Sequence, residues 1–420
     1  MAATMTLAEV GARSFETVQP GSCYRLAVPN VEVVLEVDRL VWQKQELTGE
    51  LLVRCDLGGT DAIDGVLSVA SFNLSSARAR SERASLLKGQ SRAPDIPWAA
   101  LIEELCQRTL TAERTGDPAI ALRDIDRPTD EQRLVEVFGF ALPFQHRSTA
   151  FGDGGGGKSL LGLYIGGLMA AEGYRVLLAD WELDGGDHRE RYERLFGAAM
   201  PATLFYTRCG RPMLHEADRL RRIVRSQGID FSIHDSVGFA CHDAPETATA
   251  ALAYYQATRQ LGIGGLDIAH VSKAEGGDQK PFGSAFWHNS ARATWNLKPT
   301  EEAGRLTVGV FNRKHNLAPK QAPFAFDVTF DRDRTTFRLA DIGAVAEFAG
   351  KVPAVQRIKA ILRAGARTRD ELLAELSQDD VTIKPDTIRR TLDREVKASR
   401  LVLLPGPQER YGLPMSRAAS

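Results

Sequence analysis

The sequence predicts an α/β chain in three parts. A central region is built on a mainly parallel sheet, an N-terminal region is α+β, and a C-terminal module has three helices followed by a hairpin. Three observations carry that expectation. Between about residues 141 and 340, short apolar runs alternate with helical stretches, as in "RVLLADWE", "HEADRLRRIVRSQG", "IDFSIHDS" and "ATAALAYYQATRQLG". Near-continuous apolar strands separated by helices are the pattern of a parallel sheet covered on both faces. Residues 1 to about 140 open instead with alternating runs, "VEVVLEV" (Val31–Val37), "LTGELLVRCDL" and "GVLSVASF", broken by glycine turns. From about residue 350 to 420 the period becomes that of amphipathic helices.

The bulk numbers fit several domains: 420 residues, 25% charged, with a mean hydropathy of −0.22. Lys plus Arg (53) and Asp plus Glu (54) nearly cancel, so charge has to be read region by region. The five cysteines lack the close pairing of a disulfide or zinc framework. The first residues lack the basic-then-apolar order of a signal peptide, and no apolar run reaches the ~18 residues of a membrane span. The expectation is a cytoplasmic protein with no membrane partner.

In the N-terminal region, "WAALIEELCQRTLTAER" puts Trp98, Leu101, Ile102 and Leu105 on one helical stripe, which Thr109 is expected to break. Before it, "SSARARSERASLLKGQSR" carries Arg78, Arg80, Arg83, Lys88 and Arg92 against the single acid Glu82. That run is open to two readings, a solvated helix face or a contact with a phosphate backbone or neighbouring subunit. "TGDPAIALRDIDRPTDEQ" reads as a connecting segment.

The central region carries the chemistry. "STAF" reads as a strand and "SLLGLYIGGLMAAEG" as a helix, and between them "GDGGGGKS" satisfies G-x-x-x-x-G-K-[ST]. Glycines let successive backbone N–H groups converge on phosphates without a Cβ in the way, and the helix N-terminus adds partial positive charge. Gly152, Asp153, Gly154, Gly155, Gly156, Gly157, Lys158, Ser159 and Leu160 are therefore the expected nucleotide-binding set. Lys158 would reach the β- and γ-phosphates, and the Ser159 hydroxyl would help to hold Mg2+. With so few side chains, the glycine run is expected to be ordered mainly by the nucleotide.

Two acids complete the expected site. Glu182 follows Lys158 by 24 residues, at the end of the strand "RVLLAD", where it can orient and deprotonate a water. Asp184 and Asp187 compete for that role. Asp235 closes the strand "IDFSIHD" and is the expected metal-side acid, although Ser232 and His234 interrupt the apolar run. The cluster His234, Asp235, Cys241, His242 and Asp243 also invites a metal reading, without any recognisable ligand spacing. His270 and Lys273, at the end of "LDIAH", stand where polar side chains can sense the γ-phosphate.

Two rival classes fit these motifs less well. "DSVG" and "SKAE" faintly match guanine-nucleotide motifs, but Asp235 lies 77 residues beyond Lys158, too far for a compact G domain. A small-molecule kinase would need a basic lid, which is not legible.

In the C-terminal region, "PAVQRIKAILRAGA" is amphipathic through Val355, Ile358, Ile361 and Leu362. Thr368 with Glu371 forms a capping box. "KPDTIRRTLDREVKASR" starts at Pro385 and buries Ile388, Leu392 and Val396, and two short strands follow. Residues 351 to 420 hold 14 Lys/Arg against 9 Asp/Glu. The third helix exposes Arg389, Arg390, Arg394 and Lys397, the expected DNA contacts. Protein docking is the other use of such a module.

Taken together, the central region resembles the RecA-like P-loop ATPases, especially the RepA-type hexameric helicases of plasmids and phages. The resemblance rests on "GDGGGGKS", "DWELD" with "HRERYERLFG", "IHDS", "HVSK", "GSAFWHNSARATW" and "VGVFNRKHNLAP", and covers roughly Leu142 to Asp331. It implies that Glu182 is the catalytic base and that His270 and Lys273 sense nucleotide. Ser284 and Arg292 match its recurring serine and arginine. It further implies ATP and Mg2+ as ligands and a hexameric ring with ATP between subunits. Basic fingers would be donated in trans, here from Lys314 or Arg313, because Asn316 stands where the family often carries arginine. The tail resembles winged-helix DNA-binding domains. The function implied is a DNA-associated ATPase acting on single-stranded or duplex DNA during replication or remodelling of a mobile element. The alternative is an ATP-gated regulator or initiator that does not translocate.

Overall fold

The computed structural model describes residues 4–57, 60–93, 95–271, 281–282, 284–302, 305–342, 348, 353–377, 384–405 and 408–414. The chain divides into two compact units, Met1–Arg127 and Pro128–Ser420.

In the first unit, a short α1 (Leu7–Val10) precedes β1 (Ser14–Gln19), β2 (Cys23–Val28), β3 (Val33–Gln43), β4 (Glu46–Cys55) and β5 (Val66–Asn73). These form one antiparallel meander in chain order. The inward residues Leu26, Leu35, Val37, Leu51 and Val53 pack with Leu87 of α2 (Ala77–Ser91) and with Trp98, Leu101, Ile102 and Leu105 of α3 (Trp98–Thr115). Thr109 does not break the α3 stripe: it is fully buried within it. The basic run of α2 is mostly engaged inside its own unit. Arg78 pairs with Glu82, Arg80 with Glu103 and Arg92 with Asp61, while Arg83 donates to Ser68 Oγ. The partners Glu103 and Asp61 are far away in sequence, so the run looked unbalanced when read alone.

The second unit opens with α4 (Asp130–Arg133) and a hairpin of β6 (Leu134–Val137) and β7 (Phe140–Pro143). Its body alternates β8 (Arg147–Gly152), α5 (Lys158–Ala171), β9 (Val176–Asp180), α6 (Gly185–Phe196), β10 (Leu204–Arg208) and α7 (Met213–Gln227). Next come β11 (Phe231–Asp235), α8 (Val237–Ala240), α9 (Ala248–Arg259), β12 (Gly264–His270) and α10 (Ala285–Ser290). The strands β13 (Ala293–Glu302), β14 (Arg305–His315), β15 (Phe324–Phe330) and β16 (Thr335–Ala340) complete it. The nine-stranded sheet runs β10-β9-β11-β12-β8-β13-β14-β15-β16. The first six are mutually parallel and the last three are added antiparallel. The fold is thus mixed α/β with a large, mostly parallel sheet, as the alternation predicts.

Helix α5 contains three glycines, each costing roughly 1 kcal/mol against alanine in a helix interior. Close packing explains two of them. A Cβ on Gly166 would lie 2.9 Å from Ile233 Cδ1, and one on Gly167 would collide with the Phe196 ring. The helix that carries Lys158 is thereby pressed against the sheet and α6.

The polar residues of β11 also have a structural reason. Arg147 of β8 forms a buried ion pair with Asp267 of β12 and donates to Ser232 Oγ at 2.7 Å. Tyr254 of α9 donates to Asp267 Oδ1 at 2.7 Å, and its hydroxyl lies 2.7 Å from His234 Nδ1. Ser232 Oγ lies 3.2 Å from His234 Nε2. Each buried polar group finds partners in this network, as it must away from water. His234 therefore belongs to the sheet interior.

The C-terminal segment has α11 (Ala354–Arg363), β17 (Arg367–Thr368), α12 (Arg369–Ser377), α13 (Pro385–Lys397), β18 (Val402–Leu404) and β19 (Arg410–Gly412). Its strands form a small sheet ordered β17-β19-β18. Ile358, Leu362, Leu372, Leu376, Ile388 and Leu392 make its core. The capping box is present: Thr368 N–H donates to Glu371 Oε2 at 2.8 Å, and Glu371 N–H donates to Thr368 Oγ1 at 3.2 Å. Among the described residues no helix is long and apolar enough to cross a membrane.

Candidate functional site

Register brings four strand ends to one edge of the sheet. His270 is paired with Gly152 across β12 and β8, and Asp235 with Asp180 across β11 and β9. Carboxyl ends of parallel strands are where open α/β sheets bind ligands. There the chain leaves β8 at Gly152, crosses the glycine run and enters α5 at Lys158, the strand–loop–helix geometry of a phosphate-binding loop. Gly155 has φ +74° and Gly157, the N-cap of α5, has φ +70°. Both are left-handed conformations that glycine adopts without strain. Leu160, in the first turn of α5, is half-buried and packs against the core.

Lys158 is 5% exposed, and its Nζ donates to the Asp153 carbonyl at 2.5 Å. Burial pulls its pKa down, while Asp235, Glu182 and Asp153 push it up. A buried ammonium held mainly by a carbonyl calls for an anion, which a phosphate supplies. The Ser159 hydroxyl donates to Asp235 Oδ1 at 3.0 Å. Asp235 Oδ2 is buried with no hydrogen-bond partner among the described residues. Burial, opposed by Ser159 and reinforced by Glu182, raises the Asp235 carboxyl to about 6. A hydroxyl and a carboxylate with an orphaned oxygen form a hard-oxygen donor set suited to Mg2+.

Glu182 is exposed at the start of the turn after β9, and no hydrogen bond or ion pair ties its carboxylate among the described residues. Its charge is felt by Lys158, Asp235 and His270, so it faces the same space. Burial first, and then Lys158, pull the His270 pKa down, so its imidazole is neutral at pH 7. These residues line a cleft of about 660 Å3 together with Asp187, Glu190, Arg191, Arg194 and Phe330. Asp184, a competitor for the base, instead caps α6 by accepting from the amides of Gly186 and Asp187. Lys273 lies outside the described residues.

The metal reading of His234, Cys241, His242 and Asp243 gives way to a different grouping. His234 is committed to the sheet network, and Asp180, His188 and Asp235 instead bring one ligand atom each within 4.8 Å of one another. Asp180 Oδ1 already accepts from the amides of Glu182 (2.9 Å) and Leu183 (3.0 Å). Its Oδ2 accepts from Tyr206 Oη (3.1 Å) and Arg208 Nη1 (3.2 Å). Those donors fill the roughly four lone-pair sites of a carboxylate, so Asp180 has no free site for a metal.

Ser284, two residues after Phe282, whose N–H donates to the His270 carbonyl, caps α10 by accepting from Phe286 N–H at 3.3 Å. Lys314 is not the free finger that its position suggested. Its Nζ donates to the carbonyls of His288 (3.0 Å), Asn289 (2.7 Å) and Ala291 (2.7 Å), which occupies its donors within its own chain. The Arg313 guanidinium lies 5.7 Å from the Phe311 ring centroid. Arg292, just before β13, is exposed and lines a basic pocket of about 230 Å3 with His146, Arg147 and Arg259. On α13, Arg389, Arg390, Arg394 and Lys397 are all exposed, and Arg394 also pairs with Glu395 at 3.3 Å.

Sequence reading missed Asp180, Tyr206 and Arg208. The one available signal was Asp180 itself, two residues before Glu182 at the end of an apolar strand. Nothing in the sequence marked Tyr206 or Arg208, because their role depends on β10 lying beside β9.

Fold and site together describe an α/β chain with a phosphate-binding loop and two acids at the carboxyl edge of its sheet. No family model matches the chain, and no curated protein matches it. Among solved structures it is similar to a KaiC-like protein of the hyperthermophilic archaeon Pyrococcus horikoshii, with 14% identity over 47% of this chain and 91% of that one, at a TM-score of 0.38. So loose an overlap carries no argument about function.

Proposed function

We propose that the protein is a Mg2+-dependent ATP hydrolase of RecA type that acts on DNA as a ring of subunits in the cytoplasm. The observation behind the hydrolase reading is the convergence of Lys158, Ser159, Glu182, Asp235 and His270 on one cleft. The loop amides and Lys158 bind the phosphates. Ser159 and Asp235 would hold Mg2+, which when bound neutralises charge on the β- and γ-phosphate oxygens. Glu182 accepts a proton from the attacking water, since its carboxylate is otherwise unengaged. His270, neutral at pH 7, hydrogen-bonds the γ-phosphate or the leaving phosphate and, with Lys273, senses nucleotide. The adenine of the nucleotide would lie toward Arg191, Arg194 and Phe330, which line the same cleft.

The ring reading rests on the resemblance to RepA-type helicases and on Arg292. Its side chain is exposed, has no carboxylate partner among the described residues, and sits at the sheet end opposite the loop. A head-to-tail neighbour would bring that cation to the next nucleotide, a task for which Lys314 would first have to release its three carbonyls. Residues 350–420 are read as a winged helix with α13 as the DNA-facing helix. The occupied Lys314 also supports the second reading, an ATP-gated regulator that holds a duplex site without translocating.

One experiment tests the proposal: ATP turnover of the wild type and of Glu182→Gln, measured with single-stranded DNA, duplex DNA or neither. The variant is expected to bind ATP normally and to lose about 100-fold or more in turnover. Stimulation by single strands supports the motor, and slow unstimulated turnover with tight duplex binding supports the regulator. Normal hydrolysis by the variant sinks the base assignment.

A further inference from the structure

Glu182 sits on a turn with no secondary structure of its own, yet a general base must be held to within a fraction of an ångström of its water. Among the described residues, the amides of Glu182 and Leu183 in that turn are held by one buried carboxylate. Asp180 is fully buried, and its Oδ1 accepts from the backbone N–H of Glu182 itself and of Leu183. Its Oδ2 is held from the other side by Tyr206 and Arg208 of the edge strand β10, while His188 of α6 stands 3.6 Å away. Burial alone would raise its pKa, but His188 and the two amides outweigh it, so the carboxylate stays charged near neutrality. A second tie runs beside it: Trp181 N–H donates to the Asp235 carbonyl at 2.7 Å, joining the same turn to the metal-side strand.

We propose that Asp180, braced by Tyr206 and Arg208, is the positioning residue that sets the Glu182 carboxylate over the phosphate cleft. The proposal rests on the reading of Glu182 as the base. Asp180 is fully buried and acts through the turn whose amides it holds. Arg208, whose side chain is half exposed on the edge strand, extends this brace to the protein surface.

Asparagine cannot replace the carboxylate, because its amide group donates where only acceptors serve. Turned outward the NH2 meets Arg208, and turned inward it meets the amides of Glu182 and Leu183. In the full-length protein, Asp180→Asn is expected to lower kcat about 10- to 100-fold, the scale of a misplacement near 1 Å, with ATP affinity within twofold of wild type. Tyr206→Phe combined with Arg208→Gln changes exposed edge positions, carries the test if Asp180→Asn does not fold, and should lower kcat about 10-fold. The decisive readout is a double-mutant cycle in single-turnover hydrolysis. If Asp180 works through Glu182, Asp180→Asn costs nothing further in the Glu182→Gln background. A folded variant with unchanged kcat, a parallel loss of affinity and kcat, or a full second penalty in the Gln background overturns the proposal. An inactive Glu182→Gln beside a fully active Asp180→Asn removes only the positioning role, whereas a fully active Glu182→Gln removes the base and the positioning role with it.

Discussion

At the scale of single residues, the phosphate loop is less uniform than its four consecutive glycines suggest. A Cβ on Gly154 would meet nothing within 4 Å, while Gly155 and Gly157 hold φ of +74° and +70°. An L-residue in that region costs about 1–2 kcal/mol. Gly155→Ala and Gly157→Ala should therefore each weaken nucleotide binding about tenfold, and Gly154→Ala should leave it within twofold, as read by nucleotide titration. Only two of the run are needed for backbone conformation. Asp180 teaches the complementary lesson. It looked like the last residue of an apolar strand, and its role appeared only when the amides two and three residues on were seen to fold back onto it.

At the scale of elements, polar residues in the strands follow the partners that the sheet supplies. Ser232 and His234 looked like flaws in β11, yet Arg147, Tyr254 and Asp267 from three other elements satisfy them. In α13, Glu395 is 3% exposed, and Arg400 holds its carboxyl down to about 2, against burial and with help from Arg394 and Lys359. A carboxyl whose folded pKa is depressed stabilises the fold above its unfolded value of 4.5, and that contribution is lost as pH falls toward 2. Glu395→Gln should thus lower hydrogen-exchange protection of α13 at pH 7, with the gap to wild type closing between pH 4.5 and 2. A constant gap across that window would show that the ion pairs do not stabilise the helix.

For the whole molecule, the ring reading makes a demand that no single subunit can meet. If Arg292 acts on a neighbour's nucleotide, Arg292→Ala and Lys158→Ala are each inactive alone for different reasons. Mixed together, they form some interfaces that pair an intact loop with an intact Arg292. Mixing equal amounts should restore about a quarter of wild-type turnover if subunits assort at random and act independently. No recovery, together with a monomeric mass by light scattering, would dismiss the trans arrangement. Among the described residues, those that line the pocket with Arg292 include no carboxylate.

Much of this was legible in the sequence. The mostly parallel sheet follows from the alternation of apolar runs and amphipathic helices, because strands covered on both faces are mostly apolar. The loop and its helix follow from "GDGGGGKS", because glycine is the residue that lets amides crowd onto phosphate. The positions of Glu182 and Asp235 beside the loop follow from their places at strand ends. These are local properties, written in contiguous residues. What the tertiary structure alone decided concerns partners distant in the chain: the Arg80 and Arg92 ion pairs, the His234 network, the three carbonyls that hold Lys314, and the brace on Asp180. A side chain's charge is fixed by its identity, but its availability depends on which strand lies beside it, and that is set only when the sheet has formed.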